Sequence, residues 1–172
     1  EISMGLSVIP VLMVFGELNL SKIVAEQDAN GWLLLPAWGE GLSLQRWLLL
    51  IPMAISFVIF TVAIFAETNR MPFDLPECET ELVAGYHTEY SSMKFALFFM
   101  AEYIKMIAVS MIGATLFLGG YQGPWVDVLP GLGPVYLFIK VAIWLFFMIW
   151  VRATLPRFRY DRLMAFGWKI LV

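Results

Sequence analysis

The chain of 172 residues has one cysteine, Cys78, and one histidine, His87. A single thiol closes no disulfide within the chain, and one Cys and one His cannot supply the four ligands of a structural zinc or iron–sulfur site. Charge is scarce as well: 15% of the residues are charged, where soluble domains carry about 25%. The net charge of -3 names no partner, because the charges sit in a few places and those places matter more than their sum. A nucleic-acid role is not expected. There is no internal repeat, no initiating Met and no signal-like basic start; Glu1 leads directly into the apolar run 2–15. We therefore expect a fragment lacking the N-terminal part of a longer protein.

Apolar residues are what the chain has in excess. Hydrophobic residues make up 60% and aromatics 16%, and the mean hydropathy is +0.78. A soluble fold could not bury that much apolar surface. A spanning helix needs roughly 20 apolar residues, so the length allows at most about six crossings. The expectation is an all-α integral membrane protein: one multi-helix transmembrane bundle over 1–172, with helices near 2–18, 47–66, 95–118, 134–151 and 163–172. The first reads as the end of a crossing and the last as the truncated start of one. Stretch 47–66 is free of charge, and Pro52 should kink it. Stretch 95–118 embeds Glu102 and Lys105, and 134–151 carries Lys140 near its start, placed to snorkel to the interface.

Orientation follows from the basic residues, which accumulate in short cytoplasmic loops. Segment 152–162, RATLPRFRYDR, holds four arginines, and 119–133 across the bilayer holds none. This places 152–162 in the cytoplasm, or in the matrix of a mitochondrion, where it meets lipid head groups or a peripheral partner. By alternation 67–92 lies on the same side, and 19–45 and 119–133 face outward.

Segment 67–92 is a long acidic cytoplasmic loop. From Glu67 to Tyr90 it sets six carboxylates (Glu67, Asp74, Glu77, Glu79, Glu81 and Glu89) against one arginine, Arg70. Asp74 and Glu77 form a capping box, Pro76 is tolerated in a first turn and Gly85 can end the helix, so a short helix is expected over about 75–84. On it Glu77 and Glu81 share a face at i, i+4, a repulsive pairing that local stability does not explain. A solvated acidic loop is one reading. The other is a segment folded back on the bundle to line a cavity where carboxylates share or relay protons, as the interleaved Met71, Phe73, Leu75, Leu82, Val83, Tyr86 and Tyr90 suggest. Glu102 and Lys105, at i, i+3, either neutralise each other or leave Glu102 to mark an ion or proton path. Glu1 is a weaker candidate of the same kind. His87 reads as a hydrogen-bonded cavity residue and Cys78 as an inert small side chain, while Arg70 either neutralises a nearby carboxylate or contacts a polar head group.

Two runs carry a family resemblance. AETNRMPFDLPECETELVAGYHTEYSSMKFALFFMAEY, 66–103, resembles the signature of the quinone-chamber membrane subunit of respiratory complex I, called H in bacteria and subunit 1 in mitochondria. RATLPRFRYDRLMAFGWK, 152–169, is similar to that family's next cytoplasmic loop and last helix. The resemblance implies a subunit of a proton-pumping NADH:quinone oxidoreductase with no catalytic residue of its own. Glu1, Glu67, Asp74, Glu77, Glu79, Glu81, Glu89 and Glu102 match the family's acidic path, and Arg70, Phe73, Asp74, Glu77 and His87 would line the quinone chamber. It further implies ubiquinone or menaquinone as substrate, FMN and iron–sulfur clusters only in partner subunits, and a multi-pass place in a bacterial inner membrane, or alternatively a mitochondrial one. Partners would be the other membrane and peripheral subunits of complex I. The resemblance departs at Lys105, where the family residue is usually uncharged, and in the loop at 38–45. The competing reading is the homologous membrane anchor of a ferredoxin- or hydrogenase-linked ion-pumping complex. A stand-alone transporter is disfavoured by the missing repeat.

Overall fold

In the computed structural model, residues 2–34, 44–74, 89–124, 126, 129–156 and 158–171 are described. Among them there are helices and turns and no strand. The helices are α1 (Ile2–Phe15), α2 (Leu20–Asn30), α3 (Leu44–Glu67), α4 (Met93–Phe117), α5 (Gly133–Thr154) and α6 (Tyr160–Phe166), the last continuing as a wider turn over Gly167–Leu171. α3, α4 and α5 are each long and apolar enough to cross a bilayer. α1 and α2 meet that condition only as a pair, bent by 58° between them. The protein is thus an all-α membrane protein, as its composition requires.

α2 lies within the stretch expected to be a plain outward connection. Asn19 starts it, its side chain accepting the Ser21 N–H at 3.0 Å. Among the residues of this short polar helix whose burial is described, Ile23, Val24 and Gln27 are buried, so a search for long apolar runs passes over it.

α1 packs along α3, α4 along α5, and α2 against α4. Lipid tails are as apolar as leucine, so such helices associate through close packing and polar contacts more than through water exclusion. Phe57 meets both Phe117 and Trp144 with ring centroids 5.3 Å apart, nearly edge-on. Phe60 lies 5.3 Å from Phe117 and 6.3 Å from Trp144. Aromatic pairs of this kind contribute about 0.5–1.5 kcal/mol each beyond their area. Gly113 lets the rings come together, since a Cβ there would sit 2.8 Å from Phe60 and 3.1 Å from Trp144. The Ser56 hydroxyl donates to the Ser7 carbonyl and fastens α3 to α1.

The end of α4 corrects one expectation. Lys140 does not snorkel to the interface: it is buried, and its ammonium donates to the carbonyls of Leu118, Gly120 and Gln122 at 2.6, 2.9 and 2.6 Å. It also lies 4.1 Å from the centroid of the Trp32 ring. Carbonyls at a helix C-terminus lack intrahelical donors and carry partial negative charge, so a nearby cation satisfies both deficits. The turn that presents them runs through Gly119 and Gly120, both at positive φ. Gln27 adds a bond to the Leu116 carbonyl at 2.8 Å. Elsewhere the helices show apolar side chains outward, Phe138 at 74% and Phe146 at 65% exposure among them, a surface for lipid or neighbouring membrane proteins.

Candidate functional site

The site begins with how α3 stops. Asn69 adopts a left-handed conformation, φ 50°. The Thr68 N–H and hydroxyl both return to the Ile64 carbonyl, at 2.9 and 2.8 Å, and the Arg70 N–H reaches the Phe65 carbonyl at 3.2 Å. A bond of this span across a left-handed residue is a Schellman-type closure, and Asn tolerates that conformation better than other side-chain-bearing residues. The backbone is thereby turned so that Arg70 lies beside α4.

Two ion pairs cross from there. Arg70 Nε lies 2.8 Å from Glu102 Oε1, the side chains being only 8% and 12% exposed. The two atoms are close but not aligned as a hydrogen bond, so the contact is charge on charge. The guanidinium also stands 4.9 Å from the centre of the Tyr103 ring, a cation–π distance. Lys105 Nζ lies 2.8 Å from both the carboxylate and the carbonyl oxygen of Glu67, the last residue of α3. Lys105 is the middle residue of α4, about 18 Å from either end at 1.5 Å per residue. The pairing across helices replaces the i, i+3 pairing of Glu102 with Lys105: each has taken a partner from the end of α3 instead. For Arg70 the choice between carboxylate and head group falls to the carboxylate.

From Arg70 the chain turns inward. Arg70, Pro72, Phe73 and Asp74 are all buried. Phe73 stacks on Phe158 and Phe166 with centroids 5.7 and 6.3 Å apart, and the Phe158 N–H donates to the Pro72 carbonyl at 3.1 Å. Over 70–74, then, the acidic segment is folded against the bundle and docked on the arginine-rich stretch after α5. The two segments lie at one end of the molecule, as alternation of the crossings requires.

Of the residues singled out from sequence, Glu67, Arg70, Phe73, Asp74 and Glu102 are brought together here, and Glu89 is exposed. Glu1, Glu77, Glu79, Glu81, Cys78 and His87, with the expected helix at 75–84, lie outside the described residues. Among the described residues no three His, Cys, Asp or Glu side chains gather as a metal site. Sequence reading passes over Tyr103, Phe158 and Phe166. Tyr103 stands next to an intramembrane carboxylate, which is the available signal; the two phenylalanines give none, since their partner lies more than eighty residues away along the chain.

Fold and site together define a helical membrane protein in which an acidic segment is clasped by ion pairs to charges within the long apolar helix α4. The chain belongs to the NADH dehydrogenase family, whose pattern it matches over residues 1–172. It is 51% identical over 177 residues to the H 2 subunit of NADH-quinone oxidoreductase from Koribacter versatilis (strain Ellin345), aligning over 100% of the chain and 47% of that protein. It is 51% identical over 173 residues to the H subunit of NADH-quinone oxidoreductase from Protochlamydia amoebophila (strain UWE25), with 100% and 46% covered. Against the H subunit of the same enzyme from Rickettsia bellii (strain OSU 85-389) it is 50% identical over 176 residues, with 100% and 47% covered. The chain therefore spans just under half the length of these relatives.

Proposed function

We propose that this chain is the quinone-facing part of a membrane subunit of a proton-pumping NADH:quinone oxidoreductase, seated with its partner subunits in a bacterial inner membrane as a multi-pass protein. In this reading the segment 67–92 lines the chamber where ubiquinone or menaquinone is reduced, with Arg70, Phe73, Asp74, Glu77 and His87 on its wall. Electrons would arrive from FMN and iron–sulfur clusters held by partner subunits. Glu1, Glu67, Asp74, Glu77, Glu79, Glu81, Glu89 and Glu102 would form the acidic path from chamber to membrane.

The observation that carries the reading is the buried contact between Arg70 and Glu102, 2.8 Å apart. A proton arriving on Glu102 would cancel the charge that neutralises Arg70 and leave a guanidinium uncompensated in a buried place, at a cost of several kcal/mol. Arg70 is tied to the end of α3 by its own backbone, so the strain would pass to the start of the acidic segment. Charge change at quinone and protonation in α4 are then two sides of one linkage. The test is Asp74→Asn and Glu81→Gln in the assembled complex, with quinone reduction and proton pumping measured together. Both activities should fall; undiminished rates in both variants refute the proposal.

A further inference from the structure

The C-terminal end of α4 is built around a cation. An ammonium group has three N–H donors and no acceptor. Lys140 spends its donors on carbonyls that converge from Leu118, Gly120 and Gln122, at 2.6, 2.9 and 2.6 Å. The Trp32 ring closes a further side, its centroid 4.1 Å from the nitrogen. The turn that presents the carbonyls is held by bonds that do not involve the lysine. The Gly120 N–H donates to the Ala114 carbonyl and the Gln122 N–H to the Gly119 carbonyl, each at 3.0 Å, and Gln27 on α2 donates to the Leu116 carbonyl. Gly119 and Gly120 are both at positive φ, and an added Cβ would sit 2.6 Å from the Trp32 ring at the first and 2.9 Å from Val24 at the second. The cage therefore belongs to α4, its following turn and the region of α2, whereas the cation reaches it from α5.

We infer that this end of α4 is a binding site for a primary ammonium ion, which the chain fills with its own Lys140. Three convergent carbonyls beside an aromatic face suit a positive group with three donors on one nitrogen. A guanidinium suits them poorly, because its donors lie in one plane and are spread over three nitrogens. A quaternary ammonium has no donor to offer. Freed from its tether, the same kind of ion should bind from solution, and propylammonium is the part of the side chain that Lys140→Ala removes. The inference stands apart from the proposed function, since it concerns α2, α4 and α5 and not the acidic segment.

The test is hydrogen exchange, followed by mass spectrometry on the intact assembly in detergent and read at the amides of Gly120 and Gln122. Lys140→Ala should quicken that exchange at least about tenfold, because hydrogen bonds from a charged donor are among the stronger ones. Propylammonium chloride should bring it back to within about threefold of the unsubstituted chain by binding the closed turn alone. Sodium chloride and tetramethylammonium chloride at the same concentration and pH should leave it fast. Should Lys140→Ala not assemble, Lys140→Arg decides: it keeps the charge, and exchange should still quicken by about threefold or more. Unchanged exchange in Lys140→Arg, recovery with sodium or tetramethylammonium equal to that with propylammonium, or no recovery with propylammonium would each overturn the inference.

Discussion

Remove the charge of Glu102 while keeping its shape, as Glu102→Gln does, and the buried guanidinium of Arg70 loses its counter-ion. Both side chains are about nine-tenths buried, at 8% and 12% exposure, so water cannot take over the lost role. Breaking one side of a buried pair costs about 3–5 kcal/mol, and the contact of Arg70 with the Tyr103 ring survives in both forms and does not offset it. Arg70→Gln should cost a similar amount for the mirror reason. The double variant Arg70→Gln/Glu102→Gln leaves no unpaired charge, so its loss should fall well short of the sum, with a coupling of about 2 kcal/mol or more. Reversible unfolding of the detergent-solubilised protein in SDS, followed by tryptophan fluorescence, gives all three values. The Glu67 and Lys105 pair is an internal control: Lys105 is 43% exposed, so screening should hold its coupling below about 1 kcal/mol. Losses for Arg70 and Glu102 that add to within about 0.5 kcal/mol would refute the pairing.

Gly113→Leu should lower stability by about 1–3 kcal/mol through overpacking, since its Cβ alone would sit 2.8 Å from Phe60; the unfolding midpoint checks this, and Phe60→Leu in the same chain should recover part of the loss. Lys140→Met strands three carbonyls that now accept at 2.6–2.9 Å, so about 3 kcal/mol should be lost. Amide hydrogen exchange at 119–122 should then quicken more than exchange elsewhere. Asn69→Val forces a β-branched residue into a left-handed position at φ 50° and should cost about 1–2 kcal/mol, whereas Asn69→Gly should be close to neutral; equal losses in the two variants would show that backbone conformation is not the cause.

The spanning helices are legible because hydropathy over a bilayer's width is a property of one continuous stretch. α3 spans Leu44–Glu67 and α5 spans Gly133–Thr154. α2 is not legible by that route, being short and polar, although Asn19 as a cap is available in the sequence. The site is half legible. Glu102 and Lys105 are recognisable as intramembrane charges from their position alone, but local spacing points them at each other. Choosing between that pairing and the observed one needs the path of the backbone after α3, which is fixed by the left-handed turn at Asn69. The expectation for Lys140 fails for a related reason: snorkelling assumes water is the best partner in reach, and the open carbonyls of the turn after α4 are nearer.

The two ion pairs are not equivalent, and the difference bears on how an acidic segment could answer a charge in the membrane. Glu67 and Lys105 meet at a partly exposed surface, where either side chain can trade its partner for water or a lipid phosphate at little cost. Arg70 and Glu102 have no such exchange, because the surroundings of Arg70 are an aromatic ring, a buried carboxylate and aliphatic side chains. Neutralising Glu102 therefore strains the structure at one point, while the neighbouring clasp can open to let the end of α3 move. Under the proposed function, a tight pair beside a loose one would convert a proton on Glu102 into a displacement of the segment at 70–74. Two tight pairs would hold it still, and two loose ones would absorb the charge without moving it.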